Sequence, residues 1–210
     1  MIVMKVYVNP PRGEWPSLFR RAEQDNGAIT ERVKEIVARV EREGDATLFD
    51  LAERIDGVRL SSLAVSDAEF AEAEKRVGDG VKAAVEVAVN NISAFHRAQM
   101  PREVRVETMR GVVCVQRPVP LRSVGIYVPG GTAPLFSTVL MLALPASIAG
   151  CAEITMCTPC DREGRVAAEV LYAARRCGVT RVFKTGGAQA VAAMAYGTES
   201  IPKTDKIFGP

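Results

Sequence analysis

Histidine is almost missing from this chain: among 210 residues there is one, His96. Acid–base catalysis leans on that side chain more than any other, and zinc sites commonly use it, so a histidine-built centre has little material here. His96 follows Phe95 on what reads as the core side of a helix, where packing or a surface position accounts for it. An excess of one charge is missing too. The formal net charge is +2, Lys and Arg are interspersed with Asp and Glu, and no basic block exceeds a pair such as Arg20-Arg21. That leaves no electrostatic footprint for nucleic acid. Long apolar runs are absent as well. The longest, Leu135 to Ala149, is broken by Ser137, Thr138, Pro145 and Ser147 and falls short of the ~20 residues that cross a membrane. The first residues, "MIVMKVYVNPPRGEW", lack the charged region, apolar core and cleavage site of a signal peptide. The expectation is a cytoplasmic protein with no membrane partner.

Five cysteines, Cys114, Cys151, Cys157, Cys160 and Cys177, are an odd number at scattered spacing, which argues against a disulfide framework. Cys157-Thr-Pro-Cys160 has the spacing of a redox or zinc site. Zinc would need two further ligands, and His96 lies far off in sequence. A redox pair wants its first cysteine at a helix start, which Asp161-Arg162-Glu163-Gly164 would allow. Two reduced cysteines at a strand end is the plainer reading. No serine sits in a G-x-S-x-G elbow, and no Lys or Cys has an evident activating partner. Composition and spacing therefore nominate no catalytic residue and no metal ligand.

What is present is periodicity. Ile29, Val33, Ile36, Val37 and Val40 mark one helix face over residues 28 to 43, with Thr30 as a candidate cap and Gly44 as a stop. A short helix follows from Ala46 to Ile55, ended by Gly57, and "VRLSSLAV" reads as extended. Ser66-Asp-Ala-Glu69 is a capping box. Val81, Val85, Val89, Ile92 and Phe95 carry a helical stripe toward Gln99, which Pro101 ends. Val104 and Val106, then Val113 and Val115, alternate with other residues around Met109-Arg110-Gly111, the pattern of a hairpin. Pro118 and Pro120 mark a boundary. Beyond them strands at Ser123–Val128, Glu153–Thr158, Thr180–Lys184 and Lys206–Phe208 alternate with helices at Leu135–Ala149, Arg165–Cys177 and Ala188–Tyr196. That alternation predicts an α/β fold: a mainly helical N-terminal region with a hairpin, then a parallel sheet flanked by helices. The division expected is an arm at 1–27, a helical segment with hairpin at 28–120, and an α/β domain at 121–210. Pro145 should kink its helix or lean on a neighbour for the lost hydrogen bond.

Two corners look alike. Tyr127-Val-Pro-Gly130-Gly131 and Lys184-Thr-Gly186-Gly187-Ala-Gln189 each set a glycine pair between a strand and a helix. Ligands gather beyond the carboxyl ends of parallel strands, where helix starts offer free amides. Neither corner is G-x-G-x-x-G, and glycine pairs also serve close helix packing. The pattern leaves an anion or nucleotide and plain packing equally open.

The texts "SVGIYVPGGTAPLFSTVLMLALPASIAG" and "KTGGAQAVAAMAYGTESIPKTDKIFGP", at this separation, resemble the histidinol dehydrogenase family, as does "NISAFHRAQ". The resemblance runs from about residue 28 to the last. It implies a Rossmann-like fold of the aldehyde-dehydrogenase-like kind, present here in part, that lacks the usual glycine fingerprint. It also implies NAD and zinc as cofactors, a homodimer, and oxidation of L-histidinol to L-histidine in two NAD-dependent steps. Carried over by motif, Tyr127 of "YVPGG" and Gln189 of "GGAQA" fall at NAD-contacting positions. The sequence ends at Phe208-Gly209-Pro210, where the family continues with residues that hold zinc and perform acid–base chemistry. The resemblance therefore assigns no catalytic residue and no metal ligand in this chain, and implies that the 210 residues alone are inactive. The alternative is a naturally short, non-catalytic homologue serving nucleotide binding or subunit pairing.

Overall fold

The computed structural model describes residues 5–20, 27–131 and 133–210. The N-terminal arm contributes a short 3-10 turn, Arg12–Glu14, and one turn of helix, α1 (Trp15–Leu18). Four longer helical elements follow: α2 (Gly27–Glu43), α3 (Asp45–Leu51), α4 (Asp67–Arg76) and α5 (Asp79–Ala98). Gly44 breaks α2 from α3 with φ of +57°, a left-handed corner suited to glycine. α3 widens into a π turn at Ala52–Asp56, which left-handed Gly57 closes. α4 opens on the capping box: Ser66 Oγ accepts from the Glu69 amide at 3.3 Å, and the Ser66 amide donates to Glu69 Oε2 at 2.9 Å.

β1 (Val104–Met109) and β2 (Val112–Gln116) pair antiparallel across Arg110 and Gly111. β3 (Ser123–Tyr127), α6 (Phe136–Ala149), β4 (Glu153–Thr158), α7 (Ala168–Arg176), β5 (Arg181–Lys184), α8 (Gly187–Tyr196) and β6 (Lys206–Phe208) then alternate. The four strands form one parallel sheet in the order β5-β4-β3-β6. The chain thus builds outward from β3 through β4 to β5, then crosses back to set β6 on the far side of β3. The predicted extended stretch lies along β5, where the Val65 amide donates to Val182 O at 2.9 Å and the Lys184 amide to Leu63 O at 2.8 Å. It covers an edge that would otherwise stand open.

Alternation along the strands gives the sheet two apolar faces. Val124, Ile126, Ile154, Met156 and Val182 pack under α4 to α7. Cys157 and Phe183 face the other way, with Val40, Leu48, Ala190 and Met194 of α2, α3 and α8. Gly125 permits that second layer to approach, since a methyl there would lie 2.8 Å from Met194 Sδ.

Four expectations shift. α2 starts at Gly27, so Thr30 lies inside the helix rather than capping it. α7 starts at Ala168, not Arg165, because Asp161 Oδ1 accepts the amides of Glu163 and Arg165 and holds those residues in a turn. Phe95 is 63% exposed, although it continues the apolar stripe of α5. Ile29, at the other end of the α2 stripe, is 64% exposed. In both helices the covered stretch is shorter than the stripe.

Candidate functional site

The order β5-β4-β3-β6 reverses direction between β3 and β6, and crevices at such switch points are where open α/β sheets hold ligands. Tyr127 ends β3 there. β6 ends beside it: a methyl on Gly209 would lie 3.0 Å from both Cβ and the carbonyl oxygen of Tyr127. The start of α8 comes to the same place. The Gly187 amide donates to the Tyr127 hydroxyl oxygen at 3.0 Å, which leaves the phenolic proton free to donate elsewhere.

Gln189 follows on the first turn of α8. It is 5% exposed, and its amide makes no hydrogen bond to the described residues. Its side chain folds over Gly187, where an added Cβ would meet Gln189 Oε1 at 2.8 Å. Gly187 itself has φ of +65°, so the corner requires glycine for conformation as well as for space. α8 has no side-chain cap at Gly186. The two residues named by motif, Tyr127 and Gln189, are thus brought to either side of one helix start, 60 residues apart in the case of Tyr127 and Gly187. Among the described residues no fully enclosed side-chain oxygen or nitrogen lacks a partner, so the unbonded amide of this largely buried side chain reaches open space, with two donors and an acceptor to offer a ligand.

The glycine pairs divide their work. A methyl on Gly130 would lie 2.6 Å from Cγ of Pro159, and one on Gly186 would lie 3.0 Å from Cβ of the same proline. Pro159 is therefore a wedge packed between both corners, and the first glycine of each pair makes room for it. A methyl on Gly131 would meet nothing among the described residues nearer than the Ala133 carbonyl at 4.0 Å. Packing accounts for the first glycine of each pair; open approach remains at the second glycine of the first corner.

The cysteines are separated by the sheet. Cys157 belongs to the layer under α8, whereas Cys160 packs with the α6–α7 side. Burial pushes both thiols up, and the charge of Asp56 adds to the effect at Cys160. Burial also pushes Cys177 up to about 12. All five cysteines are free, and a raised thiol is a poor nucleophile and a poor metal ligand. Among the described residues no three of His, Cys, Asp and Glu come together as a metal would require. His96 is partly exposed and stacks edge-on to Phe95, ring centres 5.7 Å apart. No helix among the described residues is long and apolar enough to cross a membrane.

The sequence signal missed Pro159, whose packing role appears only when β3, β4 and β5 are in register. A cavity of about 290 Å³ opens on the opposite face of the sheet from Gln189; Pro129, Gly130 and Gly131 line it, but neither Tyr127 nor Gln189 does.

Comparison with known proteins bears on the fold and the family. A sequence profile described as histidinol dehydrogenase matches residues 19–210. The histidinol dehydrogenase of Bacteroides fragilis is 50% identical over 207 residues, 99% of this chain and 48% of that protein. That of Vibrio cholerae is 50% identical over 193 residues, 92% of this chain and 44% of that protein. The crystal structure of histidinol dehydrogenase from Elizabethkingia anophelis superposes with a TM-score of 0.93 at 41% identity, covering 97% of this chain and 47% of that one. The chain spans about half the length of the relatives it matches. Over that span, the chain belongs to the histidinol dehydrogenase family.

Proposed function

We propose that this chain carries the NAD-binding part of a histidinol dehydrogenase, an enzyme that oxidises L-histidinol to L-histidine in two NAD-dependent steps within histidine biosynthesis. The observation that carries the reading is the convergence of Tyr127 and Gln189 on the uncapped start of α8 at the β3–β6 switch point. Tyr127 offers a ring face and a hydroxyl proton. Gln189 offers an unbonded amide to a ribose or carboxamide, and Gly131 leaves room for phosphate to approach backbone. These features fit NAD, which when bound would accept hydride from the substrate. Residues 121–210 form the nucleotide-binding domain in this reading, and 28–120 part of a discontinuous first domain. The working protein is a cytoplasmic homodimer.

Zinc is a different matter. The described residues bring no suitable group of ligands together, so none of them is assigned to it and no step is derived through it. The 210 residues alone are expected to bind NAD without turning over L-histidinol. Steady NADH formation by the purified, zinc-supplied chain would refute that expectation.

The binding reading is tested by calorimetric titration with NAD. Wild type should give a saturable isotherm. Gln189→Ala should weaken binding about tenfold and Tyr127→Phe about threefold, the loss of one or two hydrogen bonds to a ligand. A wild-type titration without saturable heat, or variants that bind as wild type does, would remove the assignment.

A further inference from the structure

The cavity on the α6–α7 face shares Gly131 with the proposed NAD approach but is lined by neither Tyr127 nor Gln189, and its lining has a consistent chemistry. It is bounded by the ends of β3 and β4, the starts of α6 and α7, and the last turn of α4, which brings Arg76. Thr158, the last residue of β4, is 3% exposed and lines the cavity. Its hydroxyl makes no hydrogen bond to the described residues. Among the described residues no fully enclosed side-chain oxygen or nitrogen lacks a partner. The Thr158 hydroxyl therefore keeps access to space, and the space beside it is this cavity.

Both helices that start here lack a side-chain cap: Leu135 and Ala167 stand at the cap positions of α6 and α7 and have no side-chain oxygen to offer. Helix starts carry free amides and partial positive charge. The contrast with α4 is instructive, since there a serine and a glutamate satisfy the same groups. Arg76 has no ion-pair partner among the described residues. Arg165 also lines the cavity, held by Asp161 and Glu163 at 3.1 Å each. Asp161 is the one carboxylate on the wall, and it is turned into its own loop. Its oxygens accept the Arg165 amide at 2.8 Å, the Glu163 amide at 3.0 Å and Arg165 Nε at 3.1 Å. Burial pulls Asp161 up, but those bonds outweigh it and hold the group below its ordinary range. An incoming anion would thus meet an unpaired guanidinium, a free hydroxyl and two open helix starts, with the nearby carboxylate already engaged.

We infer that this cavity is a binding site for a phosphate-class anion, contacted by Arg76, Thr158 and the first amides of α7. The inference rests on Arg76, Thr158 and the start of α7, and meets the proposed NAD reading only at Gly131. The phosphate could arrive free, as a small phosphate ester, or as part of a dinucleotide reaching round from the β3 corner. The probe is inorganic phosphate, followed by 31P NMR line broadening at constant ionic strength with the 210-residue protein. Saturable broadening is expected. Arg76→Gln should weaken it about tenfold, as loss of a charge-assisted bond does, and the isosteric Thr158→Val about threefold. Lys34→Gln, on α2, should change nothing. Thermal melts of each variant separate lost binding from lost folding. If NAD displaces the phosphate, the site serves a dinucleotide; if both bind together, it serves a separate phosphate compound. Either result sustains the assignment. Broadening that does not saturate, or that is unchanged in both Arg76→Gln and Thr158→Val, would overturn it.

Discussion

A methyl group added at Gly130 would sit 2.6 Å from Cγ of Pro159, closer than carbon atoms pack, while one added at Gly131 would meet none of the described residues inside 4.0 Å. Two adjacent glycines thus make opposite predictions. Gly130→Ala forces the proline ring or the β3–α6 loop to move, an overpacking cost of about 1–3 kcal/mol. Gly131→Ala has neither clash nor left-handed φ to contend with, so its stability should stay within about 0.5 kcal/mol of wild type. On the proposed NAD reading its effect falls on binding, because the methyl fills the approach to the corner. Urea unfolding of the two variants checks the first claim, and NAD titration of Gly131→Ala the second. Equal destabilisation by both would mean that the glycine pair is a packing device throughout. The motif alone could not tell these residues apart, since the difference depends on Pro159, which the fold brings up from the next strand.

At the scale of elements, α4 is the clearest case of sequence writing structure. Four consecutive residues, Ser66 to Glu69, spell its start, and the box forms as spelled. What the spelling does not contain is the second duty of Glu69, whose Oε1 lies 2.6 Å from Nζ of Lys184 at the end of β5. Ser66→Ala should cost about 1 kcal/mol through the lost cap. Glu69→Gln should show a pH signature. Partial burial raises the Glu69 carboxyl, but bonds from Lys184 and Ser66 outweigh it and the net shift is downward. A depressed carboxylate lends stability that is present above its unfolded pKa and is lost as pH falls through the folded one. The melting-temperature gap between wild type and Glu69→Gln should therefore be widest near neutrality and close as pH drops below about 4. A gap independent of pH would mean that Lys184 contributes by packing alone. Strand positions and helix periods were readable for the same reason as the box: they are local. Thr30, the start of α7 and Phe95 were not, because the length of stripe a neighbour covers, and an aspartate that holds a turn open, are set by the assembled chain. Tyr127 and Gln189 were nominated only through family resemblance; no spacing rule joins two residues on separate corners that both approach Gly187.

For the molecule as a whole, the hairpin poses the sharpest question. Every residue of β1 and β2 is exposed, and the register puts Val104 and Val106 opposite Gln116 and Cys114 on one face, with Val113 and Val115 opposite Glu107 and Arg105 on the other. Valine therefore faces water on both sides, and Val119 just beyond is 77% exposed. A free two-stranded ribbon is marginal in water, and apolar groups left open on both faces favour any surface that covers them. Light scattering should find a mass that rises with concentration above the 22.6 kDa of one chain. The double variant Val106→Thr with Val113→Thr makes each face more polar while keeping β-branched residues suited to strands, so the ribbon is retained and its stickiness reduced. The variant should shift the mass toward 22.6 kDa without altering the thermal melt of the α/β sheet, which the hairpin does not join. A wild-type mass of one chain at every concentration, with hairpin amides protected from exchange, would mean that the ribbon is stable alone and that its valines answer to β-propensity rather than to a partner.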